Sequence, residues 1–140
     1  MTAPDVIDRV VAAVVDDMSC DYAANNFEPA TYPKGLDVEA FTRAALEDAW
    51  QHDERPEWRE HVTPYIRRHP GRFRHTSVSD IEDHSDLRWT VDTPDDLALM
   101  RCLVAAAPVD AQWRTLVAVQ RAHPEWAQLN QHVQQRRVPS

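Results

Sequence analysis

A chain of 140 residues, 43% hydrophobic and 27% charged, can bury an ordinary folded core without disulfide staples. Its net charge of −8 argues against a nucleic-acid partner, in spite of a local basic cluster at Arg67, Arg68, Arg72 and Arg74. There is no long apolar run for a membrane and no signal-like start, and Cys20 and Cys102 lack metal or redox spacing; the expected setting is cytoplasmic, with free thiols.

The first element is a helix over residues 5–17, with Val6, Ile7, Val10, Val11, Val14 and Val15 at helical spacing. Valine has modest helix propensity, so burial must hold this segment. Residues 20–26 read as a short strand ending in Asn25 and Asn26, which are either turn residues or ligand contacts. After a loop with Pro29 and Pro33, residues 35–41 alternate as a strand. Leu36, Val38 and Ala40 share one face, and Asp37 and Glu39 the other. That carboxylate pair suits hydroxyl groups or a metal, and solvated alternation explains it equally. Thr42 caps a helix through Leu46, Ala49 and Trp50.

Pro56 starts a helix over 56–68 in which Pro64 forces a kink or a restart. Arg59, Glu60 and His61 form either a substrate-binding cluster or an exposed charged face. Glu57 and His61 lack the further ligand a metal would need. Pro70 and Gly71 turn the chain into a strand over 73–78, and an acidic loop over 80–86 leads to another at 87–91.

That last strand delivers Asp92 to the carboxyl end of a sheet, where open α/β folds bind ligands. Asp92 is the strongest candidate for chemistry; the alternative is a carboxylate that merely stabilises a strand-to-helix turn. Thr93 is an N-cap, Pro94 suits the first helical position, and Asp95 and Asp96 complement the helix dipole. Leu97, Met100, Leu103 and Val104 give a helix over 94–107 its buried face. Beyond Pro108, Asp110 is expected to cap a helix carrying Trp113, Leu116 and Val117. His123 and Pro124 interrupt it, and Trp126, Leu129 and Val133 mark a last helical segment before a polar tail. The two glycines of the chain leave no glycine-rich loop to cradle phosphates.

Four segments, taken in order, resemble one family. They are Asp21-Tyr22 with Asn25; Tyr32-Pro33-Lys34-Gly35-Leu36-Asp37-Val38-Glu39; Arg59-Glu60-His61-Val62-Thr63-Pro64-Tyr65-Ile66; and Arg88-Trp89-Thr90-Val91-Asp92-Thr93-Pro94-Asp95-Asp96-Leu97. Together they resemble the spore-coat-polysaccharide-type cytidylyltransferases, relatives of the acylneuraminate and 3-deoxy-manno-octulosonate cytidylyltransferases.

The alternation of strand and helix patterns predicts an α/β fold with three or four strands, and the resemblance implies the C-terminal half of a Rossmann-like nucleotidyltransferase. Residues 87–91 would be interior, with helices 5–17 and 94–107 packed on the sheet. Residues 4–107 would form this half, 108–134 a helical extension and 135–140 a flexible tail. The implied chemistry is transfer of a cytidylyl group from CTP to a sugar hydroxyl, with Mg²⁺ as cofactor and Asp92 as its carboxylate ligand. Asp37, Glu39, Arg59, His61 and Arg88 would contact the sugar substrate.

Family members carry a basic, glycine-containing nucleotide loop and a Gly-Asp-x-Pro segment that would precede Met1 to Pro4, and neither occurs here. Three expectations compete: the sugar-binding half of a cytidylyltransferase completed by a nucleotide-binding partner polypeptide, a non-catalytic remnant serving as an oligomerising or partner-binding module, or a different enzyme on the half-fold. The isolated chain is expected to be inactive. Exposed apolar surface and a bare sheet edge at 35–41 suggest a homodimer.

Overall fold

The computed structural model describes residues 3–59 and 61–133, with Arg59 described in its backbone only. The elements run α1 (Pro4–Val15), β1 (Tyr22–Ala24), β2 (Glu39–Phe41), α2 (Arg43–His52), α3 (Pro56–Arg59), α4 (Pro64–Arg68), β3 (His75–Ser77), α5 (Pro94–Ala106), α6 (Trp113–Ala122), a 3₁₀ turn (Pro124–Trp126) and α7 (Ala127–Asn130). They fall into two compact units. Residues 4–30 and 37–79 form a sheet unit; residues 31–36 and 80–133, with Ala3, form a helical unit. The expected extension from 108 onward therefore shares a unit with α5.

In the sheet unit the strand order is β2-β1-β3, with β2 antiparallel and β3 parallel to β1. The period of two along β1 decides which side each residue covers. Tyr22 and Ala24 join Ala45, Ala49, Ile66 and Phe73 in one buried cluster, while Ala23 joins Val10, Cys20 and Val78 in another. Thr42 caps α2 as expected, its hydroxyl accepting from Ala45 N at 3.1 Å. The expected helix 56–68 is split at Pro64, because proline cannot continue the ladder and Val62 takes a left-handed φ of 60°. Only Val6 and Val10 of α1 are buried; Ile7, Val11 and Val15 are exposed, so the expected apolar stripe is half covered.

The expected interior strand at 87–91 does not form. A single parallel bridge joins Arg88 to Lys34: Lys34 N donates to Leu87 O at 2.9 Å, and Trp89 N donates to Lys34 O at 2.7 Å. Pro33 lacks an N–H, and Gly35, at φ 103°, turns the facing segment away, so the ladder cannot extend. The strand expected over 35–41 shortens to Glu39–Phe41.

In the helical unit α5 opens with a capping box between Thr93 and Asp96. Its buried residues are Asp96, Leu99 and Leu103 rather than the expected Leu97, Met100, Leu103 and Val104; Leu97 and Val104 are exposed. The buried salt bridge of Asp96 sets that rotation. Asp110 does not cap α6: the turn in which Ala111 N donates to Pro108 O delays the start to Trp113, after Gln112. Trp113, Leu116 and Val117 are buried as expected. Among the described residues no helix is long and apolar enough to cross a membrane.

Candidate functional site

The turn before α5 places Arg88, Asp92, Thr93 and Asp96 together, with Asn130 of α7. Arg88 Nε donates to Asp96 Oδ1 at 2.9 Å, and its Nη2 donates to Asp96 Oδ2 at 3.1 Å and to Asp92 Oδ2 at 2.9 Å. Asn130 Nδ2 donates to Asp96 Oδ1 at 2.9 Å, and Thr93 Oγ1 donates to Asp96 Oδ2 at 3.0 Å. Asp96 is 0% exposed. The Arg88 guanidinium, seconded by Asn130 and Thr93, holds its carboxyl far below the usual range against the opposing effect of burial. Asp96 in turn raises the Arg88 pKa. This is a charge-assisted fork of the kind that fixes geometry. Arg88 is thus an internal tie, and Asp92, half exposed, is the outer carboxylate on that tie.

The sequence marks Asp96 only as a helix-dipole residue. The capping-box spacing from Thr93 was visible, but nothing in it signalled complete burial.

The sheet unit holds a second polar constellation. Glu39 accepts from Thr63 Oγ1 at 2.7 Å and from Arg67 Nη1 at 2.8 Å, and Arg67 also donates to Asn26 Oδ1 at 2.8 Å. The Arg67 guanidinium lies over the Phe27 ring at 5.0 Å. Burial, with the Glu39 charge, pushes the nearby Tyr22 phenol upward, and burial pushes His75 downward. Asn25 Oδ1 accepts from Val38 N at 2.8 Å, so it binds the end of β1 to the chain approaching β2. Asp37 and His61 are exposed; the Arg59 side chain and Glu60 lie outside the described residues. The structure therefore pairs Arg88 with Asp92 in the helical unit, while Asp37, Glu39 and His61 belong to the sheet unit.

Among the described residues no three His, Cys, Asp or Glu side chains converge as a metal-holding group. One half-exposed carboxylate with a guanidinium on one oxygen does not make a standing Mg²⁺ site, since Mg²⁺ needs further oxygen ligands.

The chain shares its α/β fold with a solved cytidylyltransferase from Leptospira borgpetersenii serovar Hardjo-bovis. The TM-score is 0.80 at 23% identity, over 95% of this chain and 55% of that one. The chain is also 32% identical, over 104 residues, to an uncharacterized protein of Methanocaldococcus jannaschii, a match covering 71% of this chain and 40% of that protein. It thus spans about half the length of the solved cytidylyltransferase and two fifths of the curated relative. No protein-family model matches.

Proposed function

We propose that this chain supplies the sugar-receiving part of a cytidylyltransferase, of the type that activates a sugar or sugar acid with CTP for polysaccharide or glycoconjugate synthesis. The observation that carries the reading is the shared fold over 95% of the chain, with the segment ending in Asp92 leading into a capped helix. In the reaction a sugar hydroxyl attacks the α-phosphorus of CTP, an O–P bond forms, the α–β anhydride bond breaks, and pyrophosphate and the hydroxyl proton leave.

Most of the rate of such a transfer comes from holding the phosphates in line. The 140 residues contain no glycine-rich loop for that purpose, so the nucleotide is held by a further nucleotide-binding segment or partner. Asp37, Glu39, Arg59 and His61 are the proposed sugar-side residues, with Arg67 and Thr63 fixing the Glu39 carboxylate. Arg88 acts by orienting Asp92. Asp92 would hold one site of a Mg²⁺ ion, and the ion would supply charge neutralisation at the phosphates.

Pyrophosphate release from CTP, Mg²⁺ and a panel of sugar acids tests this reading. The chain alone should give background; with a nucleotide-binding polypeptide added, release should appear and be lost in Asp92→Asn. Release from the chain alone, or none in any combination, counts against it.

The second reading is a non-catalytic module. It is favoured by the exposed stripe Ile7, Val11 and Val15 on α1, with Met18 beyond it, which needs cover. Self-pairing into a homodimer accompanies either reading. Light scattering should give a mass above 16.1 kDa, and a clean monomer at high concentration would refute the pairing.

A further inference from the structure

We infer that the helical unit carries a second binding site, for a monosaccharide bearing an anionic group, in a trough between the 86–88 segment and the α6–α7 corner. The trough holds about 360 Å³ and adjoins a narrower depression of about 130 Å³ that shares Asp86, Arg88, Asn130 and Gln131 with it. This is the size of small-molecule sites, roughly 300–1,000 Å³.

Two buried amides in its lining are each half used, and in opposite senses. Gln120 is 4% exposed, and its Oε1 accepts from Trp89 Nε1 at 2.6 Å. Because an indole N–H can only donate, the amide orientation is fixed, and the Gln120 NH₂ has no partner among the described residues. Asn130 is 3% exposed, and its NH₂ donates to Arg88 O at 3.1 Å and to Asp96 Oδ1 at 2.9 Å. Its own Oδ1 is left as an acceptor without a partner among those residues. The trough thus presents one fixed donor and one fixed acceptor.

Neighbouring sugar hydroxyls, each able to donate and accept, match such a pair. Pro124 adds an apolar strip for a sugar C–H face.

The charge on the ligand follows from the ends. At one rim Arg121 forks onto Asp86, its Nη1 and Nη2 donating at 2.7 and 2.6 Å, so those charges are mutually spent. Lys34 lines the narrower depression, is exposed, and has no ion-pair partner among the described residues. An anionic group seated there would complete it. Carboxylate and phosphate share that chemistry. The groups offered to the ligand, the Gln120 NH₂, Asn130 Oδ1 and Lys34, take no part in the proposed transfer, although Arg88, which lines both depressions, orients Asp92 there.

Titration of the isotope-labelled chain, followed at the Gln120 and Asn130 side-chain amide signals, tests the site. The probes are glucuronate, glucose 6-phosphate, glucose and inorganic phosphate. Both amides should shift saturably with glucuronate or glucose 6-phosphate, and whichever binds tighter identifies the anion. Glucose should bind about ten-fold more weakly, and Lys34→Met should lower the affinity for the better anionic sugar by the same factor, the loss of one charge-assisted hydrogen bond. Lys34 is exposed, so the variant should fold normally. The inference is overturned if neither amide moves, if inorganic phosphate alone reproduces the shifts, or if Lys34→Met binds as well as the parent.

Discussion

Replacing Asp96 with alanine should be among the most damaging single changes in the helical unit. The substitution removes the acceptor of the Arg88 fork, of the Asn130 amide and of the Thr93 hydroxyl, at a side chain with no solvent access. It leaves Arg88, 8% exposed, with Asp92 as its remaining carboxylate. Breaking a buried pair by removing one partner costs about 3–5 kcal/mol, and the surviving Asp92 contact places the expectation at about 3 kcal/mol.

Urea unfolding at pH 7 measures the loss. The pH dependence is a second signature. The Asp96 carboxyl titrates far lower folded than unfolded, so its contribution is complete above the unfolded value of about 4 and is lost as pH falls toward the folded value. The parent should therefore weaken with acid below about pH 4, and Asp96→Ala should show a shallower decline there. Asp92→Asn, at a half-exposed carboxylate, should cost less than about 1 kcal/mol. Replacing both charges, as Arg88→Met with Asp96→Leu, should recover part of the loss. If Asp96→Ala cost below about 1 kcal/mol, the buried tie would not be what holds α5, and the reasoning would fail.

Gly35→Ala should destabilise the chain by more than about 2 kcal/mol in the same assay, because its φ of 103° strains any Cβ and that atom would stand 2.6 Å from Thr90 N. Thr42→Ala, which removes the α2 cap, should cost about 1 kcal/mol by denaturant unfolding. Arg67→Met strips the Nη1 donor from both Glu39 and Asn26; about 1–3 kcal/mol should be lost, and restoring charge with Arg67→Lys should recover only part, since an ammonium cannot reproduce the planar guanidinium over the Phe27 ring. Burial lowers the His75 pKa, so the folded state favours neutral imidazole. Stability should fall as pH drops through about 6.5, and His75→Gln should flatten that slope.

Local chemistry was legible in the chain itself wherever neighbours in sequence decide it. Thr42 and Thr93 cap helices, Pro64 restarts one, and Trp113, Leu116 and Val117 turn inward, because caps, proline geometry and helical period act within a few residues. The α/β class and the fold shared with a cytidylyltransferase were also legible, from motifs in order.

Pairing between distant segments was not. Residues 87–91 have strand composition, but their partner segment offers Pro33 and a turning Gly35, so only one bridge forms. The rotation of α5 was hidden for a similar reason. Hydrophobic period chose Leu97 and Val104, yet an aspartate sits inside, since Arg88 from before the helix and Asn130 from thirty-four positions later both reach Asp96. A charge can be buried only where its partners converge. That convergence belongs to the tertiary structure, and with it the tie of Arg88 to both Asp96 and Asp92.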